Sequence, residues 1–141
     1  MVISQANCRI EYLSEVANGS VHDYKLLKRH FKPSMDWFKD FEVELDLGFQ
    51  GFVKDYGCKQ VLIPHKRKRS GKNKPKQELT ELQKIENRRM ARTRVRVEHS
   101  IGGMKRFRIL ANRCRLKKKK QFNLVLGICA ALWNLKIDLK K

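Results

Sequence analysis

"FEVELDLGFQGFVKDYGCKQVLIP", residues 41–64, is the stretch from which the fold is read. Its first six residues alternate apolar Phe41, Val43 and Leu45 with acidic Glu42, Glu44 and Asp46, the two-residue period of a strand with one covered face. "LGFQGFVKDYG" then supplies a glycine-rich turn and a short helix, and "KQVLIP" reads as a second strand closed by Pro64. Upstream, "CRIEYLSEV" has strand-like stretches that end at the turn signal "NGS". "VHDYKLLKRHF" follows with Val21, Tyr24, Leu27 and Phe31 at helical spacing, and Pro33 stops that helix. Strand and helix alternate as far as residue 64, which predicts an α/β layer with a substantially parallel sheet.

Beyond residue 64 the composition changes. Of the 141 residues, 33 are Lys or Arg and 14 are Asp or Glu, for a formal net charge of +19. Residues 1–63 carry 8 basic and 9 acidic side chains, whereas residues 64–141 carry 25 and 5, so the whole excess lies in the second half. A surplus of that size points to a polyanionic partner. "HKRKRSGKNKPK" packs seven basic residues between Lys66 and Lys76, Lys66, Arg67, Lys68 and Arg69 in succession, with no apolar anchor. Residues 65–78 are therefore expected to form a basic mobile loop between a strand and helix portion, 1–64, and a helical portion, 79–141. Cys8, Cys58, Cys114 and Cys129 stand far apart without a CxxC spacing, and nothing at the start of the chain has the form of a secretory signal. Reduced structural thiols in an intracellular protein, cytoplasmic or nucleoid-associated, are the simplest expectation. "FNLVLGICAALWNL", 122–135, is apolar nearly all round but short, which suits a buried core helix better than a membrane span of about 20 residues.

Between these lies a long helix. Thr80 with Gln83 three residues later is a capping-box pattern, and the helix is expected from Glu81 to about Gly102. Arg94 and Glu98 are four apart and Lys105 is seven beyond Glu98, so the three share one edge of a helix that continues so far. Val97, Ile101 and Met104 make an adjacent apolar stripe. An ordinary salt bridge accounts for Arg94 and Glu98, but not for the consecutive Gly102 and Gly103, each costing about 1 kcal/mol relative to alanine inside a helix. They predict a kink, a helix end or a close approach by another segment. Glu98 is also one of only five acids in the basic half.

"GSVHDYKLL", "VELDLGFQGF" and "LTELQKIENRRMARTRVRVEHSIGGMKRFRIL", in that order, resemble the C-terminal part of DDE-type insertion-sequence transposases, the branch that includes Harbinger-like elements; the resemblance runs from about Asn18 to Leu135. In that family a catalytic aspartate follows a strand and precedes a "GYxG"-like turn, a position held here by Asp46 before "LGFQG". A catalytic glutamate follows in a pattern of tyrosine, two residues, arginine, three residues, glutamate, six residues, lysine. Arg94, Glu98 and Lys105 fit that spacing, and Ala91 stands where the tyrosine would be.

The resemblance implies a ribonuclease-H-like catalytic domain that cuts DNA and joins a 3′-hydroxyl to a target with divalent ions, Mg²⁺ or Mn²⁺. Asp46 and Glu98 would be the catalytic and metal-binding acids, Arg94 and Lys105 phosphate contacts, and the cluster from Lys66 to Arg69 a source of sequence-independent DNA affinity. The family's first aspartate precedes the "GSVHD" segment, yet residues 1–22 contain no Asp. Asp23 is left as a helix cap or a supporting residue. The chain is thus expected to be an N-terminally truncated or split transposase whose partners are DNA and either a full-length enzyme or the missing N-terminal portion. It is expected to bind DNA and, alone, to turn over poorly. A catalytically inactive DNA-binding remnant and a basic RNA-associated structural protein are the alternatives.

Overall fold

The structure, a computed structural model, describes residues 1–67, 78–113, 115–116 and 118–140. Strands β1, Val2–Ser4, and β2, Ile10–Leu13, are followed by helix α1, Asp23–His30, strand β3, Glu42–Glu44, helix α2, Phe52–Asp55, and strand β4, Gln60–Leu62. Three further helices complete the described chain: α3, Glu81–Lys105, α4, Arg108–Ala111, and α5, Lys119–Asp138. Two compact units divide these elements. One is His22–Arg94; the other joins Met1–Val21 to Val95–Lys141. The chain is therefore mixed α and β.

In the unit His22–Arg94, β3 and β4 pair in parallel, Val43 opposite Val61. Leu45 N–H donates to the Leu62 carbonyl (2.9 Å) and Lys59 N–H to the Phe41 carbonyl (3.1 Å), extending the ladder at both ends. Burial follows the alternation of the sequence, with Val43 half-buried between exposed Glu42 and Glu44. The core beside this pair is aromatic. Phe52 is fully buried and stacks on Tyr56 at 4.7 Å between ring centroids, and Phe38 meets both. Tyr56 Oη donates to the Phe31 carbonyl (2.5 Å), fastening the end of α1 to this cluster.

The N-terminus of α3 is closed as its sequence predicts. Gln83 N–H donates to Thr80 Oγ1 (3.3 Å) and Thr80 N–H to Gln83 Oε1 (3.1 Å), so two donors that the helix cannot satisfy itself are satisfied reciprocally. The helix passes Gly102 and ends at Lys105, three residues beyond the expected end.

In the other unit β1 and β2 are antiparallel. The expectation of a substantially parallel sheet is thus corrected: among the described residues there are two two-stranded sheets, and only β3 with β4 is parallel. The polar stretch "SQANC" turns the chain back on itself, with Cys8 at φ 71°, and short connections of this kind join antiparallel strands. Ile10, Met104, Ala130 and Trp133 form the core of this unit. Gly103 is explained by Trp133: a Cβ there would lie 2.4–2.5 Å from the indole ring, so the absent side chain is what lets α5 lean on α3. The close approach is made by a ring rather than by backbone.

A second correction concerns α5. It was expected as a buried helix, but only Cys129, Ala130 and Trp133 are buried, while Leu124, Ile128, Leu132 and Leu135 are 44–66% exposed on a different face. An apolar sequence all round a helix gives no information about which face meets the core.

Candidate active site

Asp46 sits where strand β3 gives way to a 3-10 turn, Leu47–Phe49, at the carboxyl end of a parallel strand. Parallel sheets collect ligands outside those ends, because the connecting turns there converge on open space. The aspartate caps the turn: its Oδ1 accepts from Leu47 N–H (2.8 Å), and its carbonyl accepts from Phe49 N–H (3.0 Å). The turn is held from behind by the start of α1. A Cβ on Gly48 would meet His22 at 3.7 Å, and one on Gly51 would lie 2.9 Å from Tyr24 Cε1, so the glycines of "LGFQG" admit the side chains of "VHDY". Tyr24 also meets Phe49 edge-on at 5.9 Å. Two motifs separated by more than twenty residues thus build one support under Asp46.

Tyr24 is fixed in turn. Its hydroxyl donates to Asp55 Oδ2 (2.5 Å), which also accepts from Lys28 Nζ (3.2 Å), and the Lys28 ammonium stands 4.7 Å from the centre of the Tyr24 ring. Burial, reinforced by the Asp55 carboxylate, pushes the Tyr24 phenol well above its ordinary range. The hydrogen bonds from Tyr24 and then Lys28 hold the Asp55 carboxyl below its ordinary value. Asp23 proves not to be the cap of α1: His22 Nδ1 accepts from Tyr24 N–H (3.2 Å), and Asp23 occupies the first turn, where its charge suits the helix dipole.

Two neighbours on α3 reach the last acid of β3 and the aspartate just beyond it. Arg94 Nη1 donates to Asp46 Oδ1 (2.9 Å), and Thr93 Oγ1 donates to Glu44 Oε1 (2.5 Å). Glu44 and Asp46 are two apart on the chain and so project to the same side. A shallow cleft of about 100 Å³ opens beside them, walled by Leu45, Leu47, Pro64, Met90 and Ala91. Ala91, which stands where the family pattern has a tyrosine, lines that cleft. His65 is tied to α3 on three counts: its N–H donates to Asn87 Oδ1 (2.8 Å), its carbonyl accepts from Asn87 Nδ2 (3.0 Å), and its Nε2 lies 2.5 Å from Glu86 Oε2. Lys66 and Arg67 leave this anchor exposed to solvent. Lys68 and Arg69, with the rest of the expected mobile loop to residue 77, lie outside the described residues.

Glu98 and Lys105 belong to α3 and are both exposed, on a helix whose buried positions are Ser100, Gly103 and Met104. Glu98 falls in the unit with Val95–Lys141 and Asp46 in the unit His22–Arg94. As a donor Asp46 is of the right kind for a hard divalent cation: a carboxylate, 56% exposed, whose Oδ2 has no hydrogen bond from any described residue. Among the described residues no three His, Cys, Asp or Glu side chains gather into a metal-holding group.

Sequence reasoning missed the asparagines. Asn134 on α5 accepts from Ile10 N–H (2.8 Å) and donates to the Ile10 carbonyl (2.8 Å), standing in for a neighbouring strand at the edge of β2. Asn87 does the same for His65. The only available signal was a polar amide within an otherwise apolar or basic helix, as in "ALWNLKID".

The description "DDE superfamily endonuclease" matches residues 1–134. A probable transposase for insertion sequence element IS702 from Microchaete diplosiphon is 32% identical over 142 residues, 99% of this chain and 46% of that protein. The chain thus spans about half the length of that relative. No solved structure matches it. With the aspartate-bearing turn and the glutamate helix both inside the matched region, the chain belongs to the DDE superfamily of endonucleases.

Proposed function

We propose that this chain supplies part of the catalytic domain of a DNA transposase, with a ribonuclease-H-like arrangement, that cleaves phosphodiester bonds and carries out strand transfer. The observation that carries the proposal is the position of Asp46, capping the turn at the carboxyl end of parallel strand β3 with Arg94 of the glutamate-bearing helix on its Oδ1. Endonucleases of this superfamily generally use divalent metals. Such ions, Mg²⁺ or Mn²⁺, activate the attacking oxygen and stabilise the leaving one.

In this reading Asp46 and Glu98 hold the cation as hard oxygen donors, and a further acid comes from polypeptide outside these 141 residues. Asp23 serves as a supporting residue at the start of α1. Arg94 and Lys105 bind the phosphates flanking the scissile bond. Lys66, Arg67, Lys68 and Arg69 add counterion-release affinity that carries no sequence information. Among the described residues no helix is long and apolar enough to cross a membrane, and a DNA substrate fits an intracellular protein, cytoplasmic or nucleoid-associated.

The test is metal-dependent nicking of DNA by the chain mixed with the remaining portion of a full-length relative, compared with Asp46→Asn and Glu98→Gln. Loss of nicking in both variants, with duplex binding retained, is the expected result. Equal nicking by wild type and both variants would overturn the assignment. Duplex binding without any nicking in the wild-type mixture would favour a DNA-binding remnant.

A further inference from the structure

The ion pair between Arg94 and Asp46 is more than the fold requires. One residue earlier on α3, Thr93 already fastens the helix to β3 through Glu44. Both members of the Arg94–Asp46 pair are solvent-accessible, with side chains 47% and 56% exposed, and pairs so placed stabilise a fold little. The guanidinium nevertheless occupies Asp46 Oδ1, which also accepts from Leu47 N–H, and so takes up half of the carboxylate that the proposed function gives to a metal.

A guanidinium and a divalent cation compete for the same carboxylate, because each carries positive charge and they repel at contact range. Arginine has a second suitable partner. Its planar fork of donors matches phosphate as well as carboxylate. We infer that Arg94 is an exchangeable counter-ion: a positioning residue that holds Asp46 in the cation-free protein and passes to a DNA phosphate when a divalent cation takes the carboxylate. The inference rests on the reading of Asp46 as a metal ligand. It has a consequence that a static phosphate contact lacks. DNA draws the guanidinium away from Asp46 and metal draws the carboxylate away from Arg94, so each tightens the other's binding, and by the same factor.

The experiment measures Mn²⁺ affinity of the whole 141-residue chain by water-proton relaxation, with and without a short DNA duplex, for wild type, Arg94→Ala, Arg94→Lys and Asp46→Asn. Binding to duplex alone is subtracted, and circular dichroism confirms that each variant is folded. Without DNA, Arg94→Ala is expected to bind Mn²⁺ about two- to five-fold more tightly than wild type, the factor that an exposed ion pair corresponds to. Wild type is expected to gain a similar factor when duplex is added, and Arg94→Ala to gain none. Arg94→Lys, which keeps the charge but not the fork, falls between. Unchanged or weaker Mn²⁺ binding by a folded Arg94→Ala overturns the exchange and makes Arg94 a fixed orienting group. Asp46→Asn matching wild type removes Asp46 as a ligand, and the metal assignment of the proposed function falls with it.

Discussion

The two units solve one problem alike and another differently. In each, a helix asparagine clamps a single extended residue through both its N–H and its carbonyl: Asn87 on His65 in one, Asn134 on Ile10 in the other. The difference lies in what else joins the elements. In His22–Arg94 the aromatic core is supplemented by several joins to acidic side chains, Arg94 with Asp46, Thr93 with Glu44, and Lys28 and Tyr24 with Asp55. In the unit of Met1–Val21 and Val95–Lys141, apart from the exposed pair of Arg9 Nε with Asp138 Oδ1 (3.4 Å), they run mainly from side chains to backbone. The carbonyl of Cys8 accepts from both Ser100 Oγ (2.9 Å) and Trp133 Nε1 (2.9 Å), and Asn123 Oδ1 accepts from Val16 N–H (3.0 Å). The first unit is therefore the more responsive to protons and salt, while the second is held chiefly by shape. Trp37 lies in the first and Trp133 in the second, so their two indole N–H signals report on the units separately.

The sharpest way to break this contrast is to remove the steric join. Trp133→Ala deletes the ring that fills the space over Gly103 and the bond to Cys8, and is expected to cost about 3–5 kcal/mol, the range for large aromatic truncations in a core. Denaturant unfolding measures it. A loss below about 1 kcal/mol would mean that Trp133 is not what holds α5 to α3. The next largest effect is expected at Gly51, where alanine would set a methyl 2.9 Å from the Tyr24 ring. The ring must move, and about 1–3 kcal/mol is expected, as for overpacking elsewhere. Gly51→Ala paired with Tyr24→Ala separates the causes: the double variant should recover most of what Gly51→Ala loses relative to its own Gly51 parent. Removal of the α3 cap comes third. Thr80→Ala should cost about 1 kcal/mol.

How much of this was legible depended on the range of the interaction. The strand in "FEVELD", the short helix after "LGFQG" and the Thr80–Gln83 box are local, set by neighbours within a few residues, and each stands where the sequence put it. The glycine pair announced a close contact but not its partner, since Trp133 is thirty residues away. The Asn134 clamp joins residues 124 apart, and no local pattern encodes it. The placing of Asp46 at the carboxyl end of a strand came from the alternation and the turn glycines. That Arg94 would lie on Asp46 did not follow, because helical periodicity pairs Arg94 with Glu98 and says nothing of what β3 presents. Apolar residues on every side of α5 likewise hid which face is covered.

The smallest expected effect divides the units by pH. In the folded protein the Asp55 carboxyl is held below its ordinary value of 3.8, chiefly by the Tyr24 hydroxyl and then by Lys28. A group lowered on folding contributes fully above its unfolded value, and the contribution drains away as pH falls through the folded one. Stability of His22–Arg94 should therefore decline in acid below about pH 4, and the Trp37 indole signal should shift before that of Trp133. Tyr24→Phe removes the first cause, so the decline should become shallower while stability at neutral pH falls slightly. Nuclear magnetic resonance of the two indoles over an acid titration reads both. If Trp133 moves first, or if Tyr24→Phe leaves the acid limb unchanged, then the ionic joins are not what sets His22–Arg94 apart, and the contrast between a charge-held and a shape-held unit fails at its most direct point.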